Sequence, residues 1–506
     1  MEGQSPVDVL ICGAGAAGLT LAIDLARREV SFRLIDKLEG PFAGSRGKGI
    51  QPRTLEIFED LGLVDRVAAA GSHYPPQREY RADGGYEDSQ DLVVAQPTPG
   101  EPYRTPLLVP QFRTEAVMRE RLSELGHAPE YGRELLRFDQ GADGVAAHVA
   151  GPRGDETIRC RYLVGGDGGR STVRRALGIG FPGKTLGVRA VVADVLLDGL
   201  ARDAWHRFNE GDMARQLSFC PLPHTDLFQL QAPIPLEVGF DLSVDGLQTF
   251  VEARLPGSGI AVRRVAWASA YGMNARLADR YRVGRVFLMG DAAHIHPPTG
   301  GQGLNTSVQD AYNLGWKLGA ALAGAPDALL DTYEEERRPV AAGMLGLATD
   351  LLEKAKQGDR RRGREVHQLD LGYPWSSLSL DIPERDAVRS GGVLAGDRAP
   401  DAPLRGAGGQ TRRLFDLFQG PHWTLVARGG SGAAVPAARR GLHVVRIGAD
   451  GEFRDADNVL ETTYGMAGDH LLLVRPDGYV GALVGAADGS RIMDYVAGVL
   501  GSSGNR

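Results

Sequence analysis

Apolar and polar positions follow three textures along this chain. Near the N-terminus an apolar run, Val7 to Ile11, precedes Leu19, Ile23 and Ala26 at helical spacing, and a second run follows from Ser31 to Ile35. This predicts a strand, helix, strand unit of about thirty residues. Leu55, Phe58 and Leu61 place a helix from about Arg53, Leu107 to Arg113 reads as a strand leading into a helix with Val117 and Leu122, and Tyr162 to Val164 reads as a strand before a glycine turn. Between about Phe181 and Arg280 the texture changes: RAVVADVLL, LFQLQAPI and VRRVAWASAYG have strand composition and no glycine fingerprint, which predicts a mainly antiparallel sheet. A buried strand at Arg285 to Met289 and one long helical region from about Ser307 past Pro339 to Lys356 come next. In the third texture, residues 361–390 connect to short strands and turns over 391–506, closed by a helix near Met493 to Val499 and read as a separate structural module.

Composition changes this picture little. The 506 residues exceed one ordinary core, so two or three domains are expected, and 42% hydrophobic with 24% charged residues is globular. A net charge of -7 gives no general attraction for nucleic acid or an anionic membrane. The basic run from Asp359 to Glu365 reads as a solvated helix end or linker. Cys12, Cys160 and Cys220 form no CxxC pair, so no disulfide framework or zinc ribbon is implied, and a cytoplasmic location with no membrane span is expected.

Candidate chemistry starts in the first texture. Gly13-Ala14-Gly15-Ala16-Ala17-Gly18 follows a strand at the mouth of a helix, and Asp36 closes the second strand, so the pattern is a dinucleotide fingerprint. The glycines admit a pyrophosphate to the positive helix end, and an acid at position 36 suits a free ribose hydroxyl, as in FAD or NAD. Gly44 to Leu63 fails the phosphate-loop pattern, because Gly49 follows Lys48, and leaves a basic loop carrying Arg46 and Lys48. Asp167, in a glycine turn after a strand, can bind ribose or cap the next helix. The stretch GDAAHIHPPTGGQGLN, Gly290 to Asn305, admits three readings: a metal site on His294 and His296, a rigid turn, or a backbone cradle for an anionic group. No companion metal-ligand motif occurs. A cradle accounts for the whole combination, with Asp291 at a strand end, Pro297 and Pro298 fixing a bend, and Gly300, Gly301 and Gly303 at a helix N-terminus where backbone amides meet a flat, electron-rich ring.

These three ordered stretches, with GGDGGRSTVRRALG in the middle, resemble the signatures of class A flavoprotein monooxygenases related to p-hydroxybenzoate hydroxylase, in the aromatic-polyketide and phenol hydroxylase branch. The resemblance implies an α/β, Rossmann-like FAD-binding domain over 1–180 and 281–360, an inserted mainly antiparallel substrate domain over 181–280 with part of 72–105, a linker over 361–390, and a thioredoxin-like domain over 391–506. It implies that Gly13, Gly15, Ala17 and Gly18 hold the FAD pyrophosphate, that Asp36 and Lys37 lie at its ribose, and that Arg46 and Gln111 contact the cofactor. Asp167 would serve both FAD and the nicotinamide, while Asp291, Pro298, Gly301, Gly303, Leu304 and Asn305 would line the ribityl chain and ring. Asp36 stands where Glu is commoner in the family, and either acid accepts the same bonds. The implied reaction consumes NADPH or NADH and O2 and hydroxylates a polycyclic phenolic or quinonoid aromatic through a flavin hydroperoxide. Baeyer-Villiger insertion, halogenation and non-catalytic flavin binding are the alternatives. No metal is implied, and a monomer or homodimer is expected.

Overall fold

The structure is a computed structural model that describes residues 6–501 apart from 82, 90–93, 213, 237–238, 357–361, 381–391 and 430–434. Positions 359–361 of the basic run and 381–390 of the connection therefore lie outside the described residues. Arg364 of that run ion-pairs with Glu101 and Asp370.

Three larger sheets organise the chain. The first orders its strands Arg282–Val283, Val286–Leu288, Glu156–Gly165, Val7–Cys12 and Phe32–Ile35. Val7–Cys12 runs parallel to both neighbours, with Val9 opposite Phe32 and Ile11 opposite Val164. Val286–Leu288 is parallel to Glu156–Gly165 as well. A hairpin, Glu134–Gln140 and Val145–Ala150, joins the N-terminal half of Glu156–Gly165. The parallel strands thus bring their carboxyl ends to one edge, where the glycine turns at Gly13, Gly166 and Gly290 begin, and ligands of such sheets bind there. Helix Ala16–Arg27 packs so closely on helix Gln302–Leu322 that a Cβ on Gly315 would sit 2.3 Å from an Asp24 carboxylate oxygen.

The helical region expected as one unit from Ser307 to Lys356 is two helices, Gln302–Leu322 and Ala328–Lys356. Gly324, at φ +107°, followed by Ala325-Pro326, stops the first helix, and glycines at 300, 301 and 303 obscure its true start in the sequence.

The second sheet has eight strands in the order His294–Ile295, Ala261–Leu277, Gly183–Asp198, Phe228–Ile234, Leu217–Pro221, Trp205–Phe208, Gln77–Tyr80 and Tyr86–Ser89. One neighbour pair, Trp205–Phe208 with Gln77–Tyr80, is parallel. One face packs Val191, Val195, Phe219 and Leu230 against Leu247 and Val251 of helix Val244–Arg254. The alternation of strand side chains leaves Gln229 and Gln231 on the opposite face, towards the first sheet.

A third sheet of seven strands lies C-terminal: Thr411–Arg413, Pro403–Gly406, Phe453–Arg454, Leu442–Ile447, Trp423–Arg428, His470–Val474 and Val480–Gly485. One face of it shares a core with Trp316 and Leu329 from the helices of the first unit, and helix Gly489–Leu500 adds Ile492 and Val496 to that core. Buried charges that look like ordinary surface residues in the sequence join the two units as well: Arg475 pairs with Glu336 of helix Ala328–Lys356 and with Asp477. Among the described residues no helix is long and apolar enough to cross a membrane.

Candidate functional site

The glycine fingerprint divides its work. Gly13 adopts φ +106°, and a Cβ there would lie 2.2 Å from the Gly166 carbonyl oxygen, so this residue both turns the chain and lets two strand ends meet. A Cβ on Gly18 would lie 1.9 Å from the Gly13 oxygen, so the third glycine lets helix Ala16–Arg27 approach its strand. Gly15 differs, since its nearest neighbour would be a Glu115 carboxylate oxygen at 3.8 Å, and it borders open space. No side chain of the residue preceding the helix caps its first turn, so those amides and the helix dipole face a cavity. Asp36 accepts hydrogen bonds from the amides of Ala14 at 2.7 Å and Leu38 at 2.9 Å, which fastens the loop and leaves further lone pairs on both oxygens.

A second uncapped helix N-terminus opens on the same cavity. Gly300 at φ +81° and Gly301 at φ +65° lead into helix Gln302–Leu322, and a Cβ on Gly303 would meet no protein atom within 4 Å. Asp291 lies at the carboxyl end of strand Val286–Leu288, and its side chain reaches the cavity, where enclosure raises its carboxyl pKa. The neighbouring histidines form a buried hydrogen-bonded chain: His294 Nε2 lies 2.6 Å from Asp310, His296 Nε2 lies 2.9 Å from His294 Nδ1, and Arg337 donates to Asp310 at 2.8 Å. Burial opposes ionisation of Asp310, but His294 and Arg337 outweigh it and hold the carboxyl below the usual range. Among the described residues no group of three or more His, Cys, Asp or Glu side chains is placed to hold a metal.

The cavity has a volume of about 1140 Å³ and lies between the first two sheets. That exceeds the roughly 300–1,000 Å³ of an ordinary small-molecule pocket, so it has room for a dinucleotide and a second ligand. Gly13, Gly15, Ala17, Asp36, Lys37, Arg46, Gln111, Asp167, Asp291, Pro298, Gly301, Gly303 and Leu304 line it. Two expected residues do not. Gly18 is packed behind Gly13. Asn305 accepts from the Gln51 amide at 2.9 Å and donates to the carbonyls of Gly49 at 2.9 Å and Gly301 at 2.7 Å, so its side chain stitches the basic loop to the helix start. Asp167 caps the start of the next helix, because Oδ2 accepts the amides of Thr172 and Val173, and its Oδ1 is buried without a hydrogen-bond partner. Gln51 Oε1 is likewise buried and unpartnered at the cavity wall. Two uncapped helix ends, an empty Cβ position and orphaned polar atoms fit a dinucleotide with a flat ring.

Sequence reasoning missed Glu115. It lies four residues after Gln111 on one face of helix Gln111–Glu124, a spacing that could have revealed it. Gln111 Nε2 donates to Glu115 at 2.8 Å while Gln111 Oε1 accepts the Gly47 amide at 3.1 Å, so the pair holds the basic loop against the fingerprint helix. Burial pushes the Glu115 carboxyl up to about 7. The opposite wall, Trp205, Arg207, Gln231, Tyr271, Asn274 and Arg276 from the second sheet, was also unassigned, because inward and outward positions of a two-sided sheet look alike without the partner surface.

Comparison with known proteins agrees with this geometry. Residues 6–348 match the FAD binding domain family, and residues 393–502 match the aromatic-ring hydroxylase C-terminal family. A flavin-dependent monooxygenase of Mycobacteroides abscessus is 42% identical over 97% of this chain and 100% of its own. The 12-dehydrotetracycline 5-monooxygenase/anhydrotetracycline 6-monooxygenase of Streptomyces rimosus is 34% identical over 94% of each. The structure of aklavinone-11 hydroxylase with FAD and aklavinone superposes with a TM-score of 0.84 at 29% identity, covering 99% of this chain and 100% of that one. With both family matches spanning nearly its full length, the chain belongs to the FAD-dependent aromatic-ring monooxygenases.

Proposed function

We propose that this monooxygenase hydroxylates a planar, polycyclic phenolic or quinonoid substrate, using NADPH or NADH as reductant. The carrying observation is the continuous cavity, which runs from the glycine fingerprint to a wall of Trp205, Tyr271 and Gln231 and is large enough for a cofactor and a fused-ring ligand together. Relatives named for tetracycline and aklavinone chemistry support the substrate class. Bound FAD supplies the redox and oxygen-transfer chemistry. In this reading Gly13, Gly15 and Ala17 admit the pyrophosphate, Asp36 and Lys37 meet the ribose, and Arg46, Asp291, Pro298, Gly301, Gly303 and Leu304 surround the ribityl chain and ring. The walls exclude water and orient the substrate.

Domain limits follow the same reading: FAD binding over 1–180 and 281–360, substrate binding over 181–280 with part of 72–105. A thioredoxin-like C-terminal unit is supported by Trp423–Arg428 parallel to Leu442–Ile447, beside antiparallel His470–Val474 and Val480–Gly485. It contains no cysteine, so thiol redox chemistry is absent from it. The test is NADPH oxidation by the FAD-loaded enzyme with a panel of polycyclic phenols and matched ketones. A many-fold acceleration by a phenol, with one oxygen gained on an aromatic carbon, is expected. A ring-expanded product from a ketone would replace hydroxylation by Baeyer-Villiger insertion, and no acceleration by any compound would count against the substrate class.

A further inference from the structure

Lys48 and Arg207 place two buried cations at the end of the cavity formed by the second sheet; each is only 9% exposed. Both attend one aromatic ring. The Lys48 ammonium sits 4.0 Å from the centre of the Trp205 ring and the Arg207 guanidinium 4.8 Å from it, while Tyr74 stacks beside the indole at 6.2 Å. Lys48 Nζ donates to Gln229 Oε1 at 2.6 Å, and Gln229 is turned that way because its amide nitrogen donates to Ser45. That acceptor is neutral. Among the described residues no carboxylate lies within ion-pairing distance of Lys48; Asp194 is nearby but is held by the amide and hydroxyl of Ser45. The Trp205 Nε1 donor is buried at the same wall without a hydrogen-bond partner.

An ammonium withdrawn from water, bonded to one amide oxygen and otherwise beside only the buried Cys220 thiol, is under-compensated, and burial lowers its pKa accordingly. Its three N–H groups need acceptors, and a ligand that fills this end of the cavity is the group positioned to supply one. The flat wall of Trp205 and Tyr74 favours a ring beside it. We propose that Lys48, assisted by Arg207 and the Trp205 N–H, forms a specificity subsite for an ionised oxygen carried on a planar substrate, a phenolate or the enolate of a hydroxyquinone. This deepens, and rests on, the reading of the cavity as an aromatic-substrate chamber. A ring bearing an anionic oxygen is also more electron-rich, so the same contact that selects the substrate assists transfer of an electrophilic oxygen to it.

The probe is alizarin, a dihydroxyanthraquinone whose anion absorbs beyond the visible bands of flavin, titrated into the FAD-loaded enzyme beside unsubstituted anthraquinone. Wild type is expected to bind alizarin as the anion at a pH where the free dye is largely neutral. Lys48→Met is expected to weaken alizarin binding by at least about 30-fold and to lose the anionic band, while binding anthraquinone as wild type does, which also shows that the variant is folded. Lys48→Arg should keep the band. Unchanged affinity and an unchanged anionic spectrum in Lys48→Met would overturn the subsite, as would a wild type that binds anthraquinone but not alizarin. If neither ring binds, the aromatic-chamber reading itself falls and takes the subsite with it.

Discussion

An alanine at position 13 would bring its Cβ 2.2 Å from the Gly166 carbonyl, in a backbone at φ +106°. At position 303 the same methyl would enter open cavity. These two glycines therefore separate folding from binding. Gly13→Ala is expected to lower the melting temperature of the cofactor-free protein as well as FAD affinity. Gly303→Ala, inside the first turn of a helix, is expected to leave that melting temperature equal or slightly raised, since alanine favours a helix by up to about 1 kcal/mol, while FAD affinity drops about tenfold by fluorescence titration. A second residue-scale prediction concerns Glu115, which is 1% exposed and whose carboxyl is raised by burial from 4.5 to about 7. The folded state then holds a proton that the unfolded state releases between those values, so this group lowers stability as pH rises from about 4.5 to 7. Glu115→Gln should be more stable than wild type at pH 8, by up to about 3 kcal/mol, and the advantage should vanish towards pH 4. Denaturant melts at several pH values give the comparison; a constant difference across that window would contradict it.

At the scale of elements, helix Gln302–Leu322 opens on the cavity at one end and is gripped in its middle. Asn313 and Lys317 both donate to Glu336 of the following helix, at 2.7 and 2.6 Å, and Glu336 also accepts from Arg475 and Ser376. All three charged side chains are fully buried, and Lys317 is lowered to about 8, chiefly by that burial. Glu336→Gln would leave the buried Lys317 without its carboxylate and Arg475 with Asp477 alone, which is expected to destabilise the protein by about 3–5 kcal/mol in denaturant melts. Replacing the cluster wholesale by apolar residues would test a different question, because desolvation of the ions would disappear as well. This grip also shows what the sequence conveyed. Strand and helix order was legible because periodicity and the three glycine stretches mark elements locally. Asn313, Lys317, Glu336 and Arg475 were not, since each looks like an ordinary surface residue until a partner far along the chain is packed against it. The part Asn305 plays in the fold was hidden for a related reason: it sits in a cofactor signature, and its side chain's three hydrogen bonds go to protein backbone. Glu115 and the inward face of the second sheet depend likewise on tertiary neighbours that local patterning does not encode.

At the scale of the whole molecule, the C-terminal sheet and the first unit are held together by more than proximity. Trp316 meets Trp423 edge to face at 5.5 Å inside a core common to both, and Trp316 Nε1 donates to Asp477 at 3.0 Å. Arg53 donates to the Asp477 carbonyl at 2.8 Å, and Arg398 pairs with Glu56 at 2.9 Å, so helix Pro52–Asp60 is tied to the C-terminal sheet too. That helix directly follows the basic loop at the cavity. A chain built this way should unfold its first and third units together, because opening either exposes the core of the other and strands buried charges. Calorimetry of the FAD-free protein is expected to show one transition for these two units, and Trp316→Ala should move it down as a single peak, by about 3–5 kcal/mol of stability. A chain ending at residue 380 would lack the partners of Trp316 and Arg53, and it is expected to lose FAD affinity although every residue proposed to surround the cofactor is still present. Two resolved calorimetric transitions, or a truncated chain that binds FAD as tightly as the full one, would show that the C-terminal sheet is an independent passenger and that the shared core does not support the cavity.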